Sequence, residues 1–113
     1  MKNNLHEAFA DEFKNIGKII EHVGVCMMTT AAPTGGLCSR PMHVQELDPE
    51  GNLWFFASNH SHLIEEIRKV PVVNITFASS EKSKFISASG IAYEAFDKSK
   101  MEDLWNQAYQ GLQ

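Results

Sequence analysis

Arg40 is the one Lys or Arg between Lys18 and Arg68, and it lies in Ser39-Arg40-Pro41-Met42, inside an apolar, strand-rich stretch. A solitary guanidinium in such surroundings is costly to keep unless it meets an anion. Downstream, Ser58 ends a strand-like run and Ser61 opens a helical one. A helix N-terminus carries unpaired N–H groups and partial positive charge, which suit a phosphate. The Ser58 and Ser61 hydroxyls add donors, and Arg40 from a neighbouring strand supplies a full charge. Met42 and Phe56 offer apolar surface beside that polar end. The set suits a flat aromatic ring with a phosphate tail. The same residues also permit a plainer arrangement, with Arg40 a strand residue paired to Glu46 or Glu21 and Ser61 only a helix cap.

Other reactive side chains are less well placed. His60 and His62 share a His-x-His spacing, but they fall at a helix start with no carboxylate or cysteine to complete a metal set, so no metal is expected. Cys26 has no local signature of a nucleophile and reads as a small buried hydrophobe. With Pro33-Thr34-Gly35-Gly36 closing a hairpin, Cys26 falls near His43 and Cys38 near Ala31. That is too far for a disulfide, so both read as reduced thiols.

The elements that must position these groups follow from periodicity. Leu5, Ala8, Phe9, Phe13, Ile16, Ile19, Ile20 and Val23 recur at helical spacing, with Gly24 as a stop. Val25 to Ala31 reads as a buried strand, and Leu37 to Leu47 as a second, interrupted or at a sheet edge because of Pro41. Asp48-Pro49-Glu50-Gly51 turns into a third strand, Asn52 to Ser58. A short helix runs from about Ser61 to Lys69. Strands at Val72 to Ala78 and Phe85 to Phe96 flank a polar loop, and Gly90 suggests a bulge or bend. Asp97 or Ser99 caps a last helix carrying Met101, Leu104, Trp105 and Ala108. The order predicts a mainly β fold with flanking helices, a small antiparallel split barrel in a single domain over 1–113.

Composition narrows the function classes. The net charge of -4 comes without a basic stripe, which argues against nucleic acid. No apolar run reaches membrane-spanning length, and the first residues do not read as a targeting peptide, so a cytoplasmic protein is expected. A core of this size gains from a subunit interface.

The chain also resembles the FMN-binding split-barrel family of pyridoxamine 5'-phosphate oxidase-like proteins, in particular its general stress protein 26 subgroup. The resemblance rests on Ser39-Arg40-Pro41-Met42, Leu53-Trp54-Phe55-Phe56-Ala57-Ser58, Ser61, Glu65-Glu66-Ile67, Ser87-Ala88-Ser89-Gly90-Ile91-Ala92, and Asp97 with Leu104-Trp105. It implies a homodimer holding FMN in clefts between subunits. Ser39, Arg40, Pro41 and Met42 would line the flavin, partly through backbone groups. Phe56, Ala57, Ser58 and Ser61 would hold the ribityl and phosphate end. A lysine usual two residues after the Ser61 position is replaced by Leu63, with His62 as the neighbouring substitute, and Ala57 stands where threonine is common. The family continues past the tryptophan helix into a further strand. This chain stops at Gln113, so the expected barrel lacks that strand or a dimer covers the open edge. The resemblance implies an FMN-dependent oxidoreductase of unassigned substrate, with no evident general acid or base. Alternatives are a non-catalytic module for flavin, deazaflavin or haem, and a cofactor-free structural dimer.

Overall fold

The computed structural model describes residues 14–110, with side chains to residue 107. Helix α1 is described over 14–23; the expected helical turns from Leu5 to Phe13 lie outside the described residues. Its end is set by Gly24, whose φ of 73° is open to glycine, and whose N–H donates to Ile20 O at 2.8 Å. The chain then enters β1 (Val25–Ala31) and β2 (Leu37–His43). They are joined by a turn in which Gly35 takes a φ of 93°. Two short strands follow, β3 (Glu46–Leu47) and β4 (Leu53–Trp54). Helix α2 (His62–Lys69) leads to β5 (Val72–Ser79), β6 (Lys84–Ile91) and helix α3 (Lys98–Gln110).

The strands form a four-stranded antiparallel sheet in the order β2-β1-β5-β6, with β3 and β4 as a separate hairpin. The two sheets do not close on each other, which makes the fold an open split barrel with flanking helices. β1 is central and alternates strictly: Cys26, Met28 and Thr30 are buried while Met27 is exposed. Alternation of this kind assigns one face to the core. On that inner face, α2 packs Leu63, Ile64 and Ile67 against Met28 and Val73. Beside it, Ile20 of α1 joins Cys26 and Phe77. Met42, Phe55 and Ile75 touch both groups and make the core continuous.

Several expected boundaries shift. The second strand ends at His43 and resumes only at Glu46: Val44 N–H still bonds Gly24 O in the β1 register, whereas Gln45 N–H turns to Trp54 O of the neighbouring hairpin. The third shrinks to Leu53–Trp54, and residues 55–58 run irregularly towards α2. The last strand ends at Ile91. Ala92 N–H bonds Pro71 O at 2.8 Å, one further pair in the β5–β6 register, before the chain turns towards α3. Gly90 sits in unbroken register opposite Val73, so the expected bulge is absent there. Pro41 is accommodated because β2 is an edge strand.

The β1–β2 hairpin register also differs by one residue from the expected one. Cys26 lies opposite Met42, and Cys38 opposite Thr30. Both thiols are free. The slip has a structural consequence, since a one-residue change exchanges the faces of a strand. With Cys26 set against His43, Arg40 would fall opposite Thr29; in the fold it lies opposite Met28 and faces inward.

A roofed cleft and a neutralised guanidinium

The inner face of the sheet floors a cleft of about 860 Å³. Met28, Val73 and Ile75 form the floor, and α2 contributes Leu63, Ile64 and Ile67 as one wall. Residues 55–59 make a second wall, and the segment from Ala92 to Met101 with Leu104 passes overhead. The lining is mainly apolar, so it favours a ring or hydrocarbon over a solvated polar ligand.

The hairpin that carries the second wall is organised by Asp48. Its carboxylate accepts from the N–H groups of Glu50 at 3.0 Å and Asn52 at 2.9 Å, and from Trp54 Nε1 at 2.9 Å. Those hydrogen bonds, the one from Trp54 foremost, hold the Asp48 carboxyl below its ordinary value. Trp54 in turn lies under the Lys100 ammonium, 5.0 Å from the ring centroid, in a cation–π arrangement. Lys100 also pairs with Glu46, which holds its ammonium above the ordinary lysine value. Phe56 meets Trp105 edge to face at 6.0 Å. Helix α3 is thus fastened to the hairpin by the ion pair and cation–π contact of Lys100 and to the segment after it by Phe56–Trp105, with Leu104 driven inward to 3% exposure. Asp97 caps the helix by accepting from Lys100 N at 3.0 Å. Arg68 fixes the approach to α3, with Nε and Nη2 gripping the Glu94 carboxylate at 2.5 and 2.9 Å.

Arg40 meets a carboxylate within the fold. Its Nη2 donates to Glu66 Oε1 at 2.6 Å and its Nη1 to Thr30 Oγ1 at 3.0 Å. The Thr30 hydroxyl in turn donates a hydrogen bond to Glu66 Oε1 at 3.0 Å, closing a three-residue network. The Glu66 side chain is 4% exposed and that of Arg40 24%. Burial pushes the Glu66 carboxyl up, but the hydrogen bonds from Arg40 and Thr30 together with Arg40's charge outweigh it and leave the group below its ordinary value. The pair therefore stays ionised and cancels its own charge. Neither Glu46 nor Glu21, the partners expected from the sequence, takes this role: Glu46 is held by Lys100.

The remaining candidates separate by location. Met42, Phe56, Ala57 and Ser58 line the cleft. Ser39 and Pro41 point to the opposite face of the sheet, in register with Thr29 and Met27. Ser39 Oγ shares a 2.6 Å hydrogen bond with Thr29 Oγ1. Ser61 is the N-cap of α2 and accepts from Ile64 N at 3.3 Å. Ser58 Oγ accepts from His60 N at 3.3 Å. His62 is almost fully solvated, 3.7 Å from Glu65. Burial pushes the Cys26 thiol up, so it is held as an inert core group. Sequence reasoning placed Glu66 only within the motif Glu65-Glu66-Ile67 and Thr30 only as a strand residue, and missed that both bind Arg40. Two signals pointed to them: Glu66 stands among Leu63, Ile64 and Ile67 on a short helix, and Thr30 continues the alternation of Cys26 and Met28.

The sequence matches the family model described as pyridoxamine 5'-phosphate oxidase like over residues 11–112. The chain belongs to this family. Its fold is similar to that of a Clostridium acetobutylicum protein related to general stress protein 26 of B. subtilis, of the pyridoxinephosphate oxidase family. That likeness has a TM-score of 0.71 at 17% identity, over 82% of this chain and 66% of the other. This chain therefore spans just under two thirds of that protein's length. No curated protein matches the sequence. No helix among the described residues is long and apolar enough to cross a membrane.

Proposed function

We propose that this family member is a flavin-binding protein, with FMN as the family's expected cofactor, acting as a homodimeric oxidoreductase. The observation that carries the reading is the apolar cleft with Phe56, Ala57 and Ser58 on its wall, in a chain of this family. Met42 and Phe56 offer surfaces for an isoalloxazine ring, and the Ser58 hydroxyl suits a ribityl chain. A bound flavin supplies the electron chemistry, while the protein orients it and limits solvent access. The residues fit the ring and ribityl chain better than the phosphate, because Arg40 is already matched by Glu66.

A second copy of the chain belongs on the outer face of the four-stranded sheet. Leu37, Met27, Val72, Phe85 and Ile91 all project there and are exposed, Leu37 to 77% and Phe85 to 72%. An apolar set of this extent on a small domain marks an association surface.

Absorbance of the purified protein tests the reading. The expected result is a flavin band released on denaturation and bleached by NAD(P)H, with light scattering at the dimer mass. A colourless monomer that takes up no added flavin would overturn it. A cofactor-free structural dimer is the second reading, favoured by the buried Leu63 where the family's lysine is expected; it predicts the dimer mass without the band.

A further inference from the structure

We infer that this chain does not select its flavin by the phosphate: the neutral ring-and-ribityl form, riboflavin, binds about as well as FMN. The inference rests on the flavin reading above and concerns which chemical form the site takes.

A phosphate is held by uncompensated cations or by converging free donors. Around this cleft the charges are already matched. Arg40 is bound by Glu66, Arg68 by Glu94, and Lys100 by Glu46. Of the described charged residues that line the cleft, Glu94 and Asp97 are acidic and Lys100 is basic. At the start of α2 the backbone N–H groups of Ile64 and His60 already donate to Ser61 Oγ and Ser58 Oγ, which leaves the serine hydroxyls as neutral donors and no cation. Leu63, two residues beyond Ser61, is buried at 7% among Met28, Ile64 and Val73. A dianion placed here would meet net negative charge in a low-dielectric setting, which is unfavourable.

A partner subunit seated on the outer face does not repair the deficit. That face is built from Val25, Met27, Thr29 and Ala31 of β1 and their register neighbours on β2 and β5, continued by Phe85, Ser87, Ser89 and Ile91 on β6. None of its positions is Lys, Arg, Asp or Glu, and its middle is a polar row of Ser39, Thr29, Asn74 and Ser89 running across all the strands. A two-fold contact presents the same patch from both sides. That patch lies across the sheet from the cleft and its one titratable side chain is His43 at the end of β2, so it brings no lysine or arginine to a phosphate in the cleft.

Titration of the full-length, flavin-stripped protein with riboflavin and with FMN in parallel, followed by quenching of flavin fluorescence, tests this. The expected outcome is two dissociation constants within about tenfold of each other, less than a free guanidinium on a phosphate contributes. Glu66→Gln keeps the shape of the side chain and frees the charge of Arg40. It is expected to tighten FMN by about tenfold and leave riboflavin unchanged. FMN binding more than about tenfold tighter than riboflavin in the unmodified protein would overturn the inference while leaving the flavin reading intact. An unchanged FMN-to-riboflavin ratio in Glu66→Gln would overturn it too. Failure of both flavins to bind would instead remove the flavin reading on which it rests.

Discussion

On the inner face of the sheet, Cys26, Met28, Val73 and Phe77 are buried beneath helices, while one residue along the same strands Met27, Val72, Phe85 and Ile91 face outward and are exposed. Charge divides in the same way. The inner face holds the Arg40–Glu66 pair, and the outer face holds rows of uncharged hydroxyl and amide side chains. The inner face is completed by the chain itself: its apolar groups are covered and its one ion pair is matched. The outer face is the one that the proposed second copy would cover. Asn74 shows how it is kept ordered, donating to Ser87 Oγ at 3.1 Å and accepting from Thr76 Oγ1 at 3.1 Å. Stability is therefore expected to reside inside and association outside.

Substitutions on the two faces should separate those properties. Phe77 is fully buried, so Phe77→Ala is expected to cost about 3–5 kcal/mol, read as a lower urea midpoint. Comparable stability in the variant would mean that the inner face is not the organising core. Arg40→Ala leaves the Glu66 carboxylate buried without its charged partner, and the melting temperature is expected to fall by roughly 10 °C. Replacing both residues by apolar ones of similar volume (Arg40→Met with Glu66→Leu) should recover much of that loss. A single Arg40→Ala variant that melts like the parent would show the pair to be dispensable.

Acid provides a third probe. Asp48, Glu66 and Glu94 all sit below their ordinary values in the folded protein. Groups depressed on folding contribute stability above the unfolded pKa and lose it as pH falls through the folded one. Thermal stability should accordingly hold from neutral pH to about 5 and decline below about 4. Removing the Asp48 carboxylate with Asp48→Asn should flatten part of that decline.

On the outer face, Thr76→Arg places a charge in the middle of the uncharged surface. It is expected to weaken dimer formation by more than about tenfold while leaving monomer melting nearly unchanged, which sedimentation and calorimetry would separate. Equal loss of folding and association would erase the distinction between the faces. The smallest effect belongs to Arg68→Ala. Its side chain is 53% exposed, and its loss should move the melting temperature by no more than about 2 °C.

Much of this arrangement can be read from residue order. The alternation in Val25–Ala31 marks a half-buried strand, Ser61 marks the α2 cap, and Gly24 and Asp97 mark the ends of helices. These are local preferences, carried by side-chain periodicity and backbone hydrogen bonding. Strand ends were less legible, because Gln45 leaves the β1 register for Trp54, and that choice depends on where another segment lies. The cleft was partly legible: Met42, Phe56 and Ser58 line it, whereas Ser39 and Pro41 turn to the other face.

The sequence by itself determined a helix-flanked antiparallel sheet, the family of the chain, and the presence of one guanidinium in a long stretch with no other Lys or Arg. Which anion that guanidinium meets was decided by tertiary structure. A one-residue step in hairpin register turns Arg40 inward, and the packing of α2 brings Glu66 to within 2.6 Å of it. Periodicity can assign a residue to a face, but a charge pair between a strand and a helix separated by 26 positions depends on distance in space, which no local pattern encodes.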